Sequence, residues 1–378
     1  MTTRTPGAAA DPGWAAAFAA VPRAAFLPRV MWPYDEEREA FDTLDLARDP
    51  EGWWRAAEAD VPIVTQWDGG AHAGSGRGAH AESGRGAHAT SSASTPRLVA
   101  TMLTALDAEP GMRVLEVGTG TGWNAALLAH RLGERSVTTV EIDPGVAAAA
   151  ERALRRAGLR PRVVVGDGAL GVPDGGPYDR IIVTCGLRRI PRRWLAQVRP
   201  GGSILAPWGT AFRGRDALVR LTVRGDGTAE GPFLQVVNFM PMRAHRTAHP
   251  TFPPGLPLTD TRTGVWPPHG MWHPFPFLAG LRVERASHAV QRHDDGHTQW
   301  LYDLSGAGWT AAVRRERTGP GVVVRRAGER PLWDELLAAW EWWRSAGEPP
   351  VERFGLSVDE KGETPWLDRP DRPVDATV

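Results

Sequence analysis

Ten residues constrain the fold of this chain more than any others: Val114-Leu-Glu-Val-Gly-Thr-Gly-Thr-Gly-Trp123. A short apolar run ends in glycines at 118, 120 and 122, and a helical pattern begins directly after them. The run reads as a strand that feeds a glycine turn. A glycine turn joining such a strand to a helix lets the backbone approach a ligand closely. Strands and helices alternate around it: strand Arg113–Val117, helix Trp123–Leu132, strand Ser136–Glu141, helix Gly145–Ala157, and strands Arg162–Val165 and Arg180–Thr184. Helix Arg192–Val198, a Pro-Gly-Gly turn and strand Ser203–Pro207 follow, with further strands at Ala217–Val223 and Phe233–Met240. This alternation is the signature of an α/β fold with a parallel sheet covered by helices on both faces.

The glycine spacing separates possible ligands. A dinucleotide fingerprint places its third glycine at 123, where this chain has Trp123. G-x-G-x-G with Glu116 two residues upstream suits S-adenosylmethionine, whose amino-acid moiety needs close backbone approach and whose positive charge Glu116 can offset. Glu141 ends the next strand, where an acid accepts ribose hydroxyls, and Asp167-Gly168 after the third strand would reach the adenine amine. Gly118, Thr119, Gly120, Thr121, Gly122, Trp123, Asn124, Ile142 and Thr184 complete the expected cofactor set. S-adenosylhomocysteine is the expected product of that cofactor.

The 378 residues allow two or three domains, and 42% hydrophobic residues exclude a wholly disordered chain. We expect an N-terminal helical and acidic segment over 1–89, a core over 90–245 and a Trp-rich α+β accessory domain that binds substrate over 246–378. Gly70-Ala-His-Ala-Gly-Ser-Gly-Arg77 recurs at 78–85 and begins again at 86, a flexible insertion spanning 69–89. The stretch 249–276 is rich in Pro and reads as an irregular wrap. The helix after Pro331 carries Trp333, Trp340 and Trp343 on a stripe that reads as core. A single cysteine, Cys185, excludes an internal disulfide and a thiolate zinc cluster. His245/His249 and His293/His297 lack a third ligand, so no metal is expected. No apolar stretch is long enough to span a membrane and no secretory signal is present, so the expected compartment is the cytoplasm.

Beyond the glycine loop, Gly166-Asp-Gly168, Pro177-Tyr-Asp-Arg-Ile-Ile-Val-Thr184, Ile190-Pro191, Arg199-Pro-Gly-Gly202 and Pro207-Trp-Gly209 resemble the protein-L-isoaspartate O-methyltransferase family. Val21-Pro-Arg23 and Phe26-Leu-Pro28 resemble its N-terminal helix. The resemblance spans about a third of the chain, residues 90–209, and implies a Rossmann-like methyltransferase core using S-adenosylmethionine. The repair enzymes carry Ser-Gln-Pro before the first core helix; here Ser94 and Pro96 match, and Thr95 replaces Gln. Thr65-Gln-Trp-Asp-Gly69, the Ser/Thr run, Asp226-Gly-Thr-Ala-Glu-Gly231 and the Trp-rich tail resemble a branch that accompanies ATP-grasp ligases in ribosomal peptide (graspetide) maturation.

That resemblance implies methylation of an L-Asp carboxylate in a precursor peptide already cyclised by an ATP-grasp ligase, leading to an aspartimide. Isoaspartate repair and action on a lanthipeptide are the alternatives. Hydroxyls of Ser91, Ser92, Ser94 and Thr95 are the candidates to hold the carboxylate, and the same run also reads as a helix cap. Arg188, Arg189, Arg192 and Arg193 follow the fourth strand, where they would draw an acidic peptide or form a solvated face. The Asn/Asp-Pro-Pro-aromatic motif of DNA methyltransferases is missing after that strand, where the sequence is Thr184-Cys-Gly-Leu187. No nucleic-acid partner is expected. The formal net charge of zero hides an asymmetry: residues 31–68 carry −8, whereas 69–250 carry +9.

Overall fold

The computed structural model describes residues 12–70, 88–212, 216–247, 250–270, 272–315 and 321–375. Most of the Gly/His insertion, with His72 and His80, lies outside the described residues, as does His249. The chain forms two compact units. Unit 1 runs to Thr184 and adds Pro191–Leu205 and Thr222–Gly227; unit 2 takes Cys185–Ile190, Ala206–Leu221 and Thr228 onward.

Unit 1 opens with α1 (Pro12–Ala20), β1 (Val30–Asp35), β2 (Ala40–Phe41), β3 (Leu44–Asp45), α2 (Pro50–Glu58), β4 (Ile63–Trp67) and β5 (Ala89–Ala93). The N-terminal segment is thus part helix, in α1 and α2, and part strand. β1 pairs antiparallel with β2, β3 and β4, and β4 pairs with β5. Pro33 and the surrounding acids conceal the alternation, yet Met31 and Ile63 are fully buried against Trp53 of α2.

The core continues through α3 (Pro96–Leu106), β6 (Val114–Val117), α4 (Trp123–Leu132), β7 (Val137–Glu141), α5 (Pro144–Arg156) and β8 (Arg162–Val165). It ends with β9 (Tyr178–Val183), α6 (Arg192–Leu195) and β10 (Val198–Trp208), whose last three residues belong to unit 2. The expected helix Arg192–Val198 stops at Leu195, and β10 already includes the Pro-Gly-Gly segment, with a register shift between Val198 and Ser203. The strands are parallel in the order β8-β7-β6-β9-β10. Connections run one way from β6 to β7 and β8, and the other way to β9 and β10. The crevice beyond the C-terminal ends of β6 and β9 is thus the switch point at which such sheets bind ligands. Val114, Leu115, Val117, Ile181, Ile182 and Val183 are all buried, which is why these strands show continuous apolar runs.

Unit 2 contains β11 (Asp216–Val223, its last two residues in unit 1), β12 (Ala229–Val237), β13 (Leu258–Thr263), α7 (Phe275–Arg282), β14 (Ala286–His293) and β15 (Gly296–Asp303). It continues with β16 (Trp309–Arg315), β17 (Val322–Ala327), α8 (Leu332–Ser345), β18 (Phe354–Val358) and β19 (Glu363–Leu367). β18 pairs antiparallel with β12 and with β19. A separate antiparallel sheet runs β13-β17-β16-β15-β14. The expected irregular wrap over 249–276 therefore contains a strand and the start of a helix. β13 is an edge strand with almost every residue exposed, so it lacks the apolar periodicity that would reveal it. Trp333 and Trp343 of α8 are buried, in keeping with a core stripe. Among the described residues, no helix is long and apolar enough to cross a membrane.

Candidate active site

The glycine loop sits at the switch point of unit 1. Gly118, Gly120 and Gly122 all have positive φ, at 100°, 53° and 86°. A methyl group at Gly118 would lie 2.6 Å from Thr184 Oγ1, so only glycine fits there without movement. Thr184, just past β9, donates its hydroxyl to the Gly118 carbonyl at 2.6 Å and thereby closes the crevice from the other strand. Gly122 packs on Ala150 of α5, where a methyl would come within 3.1 Å of the alanine Cβ.

Glu116 lies beneath the loop with no exposed surface. Thr139 Oγ1 donates to its Oε2 at 2.6 Å and Asn124 Nδ2 to its Oε1 at 2.7 Å. Burial pushes its carboxyl up to about 7, against the pull of those two hydrogen bonds. Thr119, also buried, shares a hydroxyl hydrogen bond with Thr139 at 2.7 Å. Glu141, half-buried, accepts the Gly120 N–H at 3.0 Å and the Asp143 N–H at 3.1 Å, which fixes its carboxylate beside the loop. Ile142 is 43% exposed and Val165, paired across the strands with Glu141, is 55% exposed. Apolar side chains left open at the ends of a buried sheet suit the face of an adenine. Asp167 is exposed and caps its own short turn by accepting the Ala169 N–H at 2.9 Å. Trp194 of α6 holds the Gly168 carbonyl from behind at 2.9 Å. Thr121 is half-buried. A cradle where a Cβ would collide, a fixed acid at the second strand end and open apolar faces beyond it all fit S-adenosylmethionine.

β5 brings the hydroxyl run to the loop. A methyl on Gly120 would stand 3.5 Å from the Ser92 carbonyl oxygen and 3.9 Å from Ser91 Oγ. Ser91 is buried and accepts a hydrogen bond from Thr65 Oγ1 at 3.1 Å. Ser92 and Ser94 are half-buried. Thr95 caps α3, its hydroxyl accepting the Leu98 N–H at 3.3 Å. Arg23, only 6% exposed, donates to the carbonyls of Ala59, Val61 and Ala93 and so pins the end of β5.

Other expected residues stand elsewhere. Trp123 is 4% exposed, donates its indole N–H to the Val21 carbonyl at 3.0 Å and meets Phe18 edge to face. Its side chain anchors the N-terminal segment to α4, which explains an aromatic residue at that point of the loop. Arg188 and Arg189 belong to unit 2, and Arg192 and Arg193 to unit 1. Arg188 is committed inside unit 2 to buried Asp216, whose carboxyl burial pushes up while Arg188 pulls it down. Arg189, Arg192 and Arg193 are exposed. Sequence reasoning missed Thr65, Gln66, Thr139 and Asp143. Only the segment Thr65–Gly69 carried a signal, through its resemblance to the maturation branch, and without assigned roles.

Comparison with known proteins agrees with this geometry. A family model described as Protein-L-isoaspartate(D-aspartate) O-methyltransferase (PCMT) matches residues 79–247. A protein-L-isoaspartate O-methyltransferase of Anaeromyxobacter dehalogenans is 44% identical over 152 residues, covering 39% of this chain and 71% of that one. The enzyme so named in Pyrococcus horikoshii is 41% identical over 150 residues, 39% of this chain and 67% of that one. A solved structure titled protein-L-isoaspartate O-methyltransferase covers 95% of this chain and 96% of its own, with a TM-score of 0.52 at 21% identity. That likeness is one of fold, and it takes in unit 2 as well as the methyltransferase core. The chain belongs to the protein-L-isoaspartate O-methyltransferase family, a family of S-adenosylmethionine-dependent carboxyl O-methyltransferases.

Proposed function

We propose that this enzyme esterifies the side-chain carboxylate of an L-Asp in a ribosomally made acidic peptide that an ATP-grasp ligase has already cyclised. The observation that carries the reading is the meeting of β5 with the glycine loop at Gly120, which sets a hydroxyl-bearing strand beside the cofactor cradle. Glu141 would hold the ribose, Ile142 and Val165 the adenine faces, Asp167 the adenine amine, and Gly118 and Gly120 the amino-acid moiety. S-Adenosylmethionine supplies, when bound, a methyl group on a positively charged sulfur.

The remaining work belongs to the protein's own groups. An aspartate with an ordinary pKa of about 3.9 is already ionised at neutral pH, so no base is needed to activate it. Ser92, Ser94 and Thr95 would orient it by donating hydroxyl hydrogen bonds, which leave the nucleophilic oxygen its charge. Alignment of the attacking oxygen and exclusion of water then supply the acceleration. In the product ester, the following backbone nitrogen attacks the side-chain carbonyl. Methanol leaves and a succinimide remains. Thr95 in place of the repair enzymes' Gln, and a basic balance over 69–250, support a changed and acidic substrate.

The 41–44% identity to enzymes named for isoaspartate favours repair as the second reading. Offering the enzyme a cyclised Asp-containing precursor and a short isoaspartyl peptide in competition separates the two. Methyl uptake by the precursor supports the proposal, and uptake by the isoaspartyl peptide alone defeats it.

A further inference from the structure

We propose that the open face of the five-stranded sheet of unit 2 is a docking site for an acidic, extended segment of the peptide substrate, apart from the aspartate that is methylated. The inference rests on the peptide substrate proposed above.

The two faces of this sheet differ. On one, Thr310, Ala312 and Leu301 are fully buried, and α8 packs on β15 and β16. On the other, cross-strand register sets Gln291, Thr298, Val313, Val323 and Arg262 in one row. The next row holds Ala289, Trp300, Ala311, Arg325 and Asp260. A cavity of about 640 Å³ lies over these rows, floored by Trp300, Trp309, Val313 and Val323 and edged by Arg262 and Arg325. Trp300 and Trp309 are half-buried with ring centroids 5.7 Å apart. The Trp300 indole is held by Gln291 Oε1 at 3.1 Å. These tryptophans are not part of the α8 core stripe, and a rigid aromatic floor of this kind supplies contact area at low entropic cost.

Charge selects the occupant. Arg315 of β16 and Arg325 of β17 lie on this face, and Arg262 of β13 adds a third arginine. On the open face Arg325 pairs with Asp260 and Arg315 with Asp295, whereas Arg262 pairs with no carboxylate among the described residues. Arginine forks match carboxylates, and the apolar floor between them suits a side chain flanked by acids. An acidic peptide with an occasional aromatic or aliphatic residue has that pattern.

The test is equilibrium binding of a fluorescein-labelled 16-residue peptide of Glu and Ala with one central Phe, using the full chain. Salt-sensitive binding is expected, which Arg262→Glu and Trp300→Ala each weaken at least tenfold, while the Trp300→Phe affinity and S-adenosylmethionine binding stay near wild type. Equal affinity in Arg262→Glu overturns the proposal, as does tighter binding of a 16-nucleotide oligothymidylate that Arg262→Glu abolishes. Methyl transfer to the cyclised precursor is read in parallel. Intact peptide binding without any methylation of Asp peptides would defeat the proposed reaction but not this site. Methylation with a KM that Arg262→Glu leaves unchanged would defeat this site alone.

Discussion

Gln66 Nε2 donates to Asp143 Oδ2 at 3.3 Å, while Gln66 Oε1 accepts from Thr90 Oγ1 at 2.7 Å. One amide therefore joins β5, which carries the hydroxyl run, to the N-cap of α5. Asp143 in turn donates its N–H to Glu141, and Glu141 holds the Gly120 N–H. The chain of contacts runs from the candidate substrate strand to the cofactor loop through Gln66, Asp143 and Glu141.

Replacing Gln66 should therefore loosen the register of β5 against the loop. We expect Gln66→Ala to lower kcat/KM about tenfold, mainly through KM for the peptide, with little loss of cofactor affinity. Gln66→Glu sets a third carboxylate beside Asp143 and Glu141, so its activity should recover as pH falls. A pH–rate profile of Gln66→Glu parallel to that of wild type would contradict this.

Glu116 gives a stability prediction with a definite sign. Its folded-state carboxyl lies at about 7 against 4.5 ordinarily, so the folded chain holds a proton that the unfolded chain has released. Stability contributed by the protonated form is present below about pH 4.5 and is lost as pH rises towards 7, by about 3 kcal/mol in total. Glu116→Gln should not show that loss. Denaturant unfolding at pH 5 and pH 8 checks it: the mutant's stability relative to wild type should rise between the two. Binding of a cationic ligand above the loop should also release a proton near neutral pH, measurable by calorimetry in buffers of different ionisation enthalpy.

Gly118 tests the cradle itself. Gly118→Ala carries a methyl into Thr184 Oγ1 and forces alanine to a φ of 100°. A cofactor affinity at least tenfold weaker is expected, with about 1–3 kcal/mol of lost stability. Adding Thr184→Ala should restore part of the affinity by removing the collision, though not the backbone strain. No recovery in the double mutant would show that the steric contact is not what the glycine avoids.

The core was legible because its signals are local. A buried strand, a glycine turn and the acid that ends the next strand lie within 30 residues, from about 113 to 141, and each obeys a backbone requirement visible in residue type. Gln66 was not legible, since its partner Asp143 is 77 residues away and an amide in an exposed-looking strand announces nothing. The anchoring role of the Trp123 indole was hidden for the same reason: the Val21 carbonyl that it meets lies 102 residues earlier. Arg188 looked like a free cation until the fold brought Asp216 to it. The edge strand β13 and the short strands β2 and β3 escaped because they have little or no buried face, and pairing alone defines them.

Methyl transfer to an aspartate carboxylate in an acidic cyclised peptide changes the mass of that peptide. A time course by intact mass spectrometry, with the enzyme, S-adenosylmethionine and the cyclised precursor, tests it most directly. A gain of one methyl group on an Asp is expected, followed by loss of methanol as the ring closes. A precursor mass that never changes, while a short isoaspartyl peptide in the same tube is methylated, would contradict it.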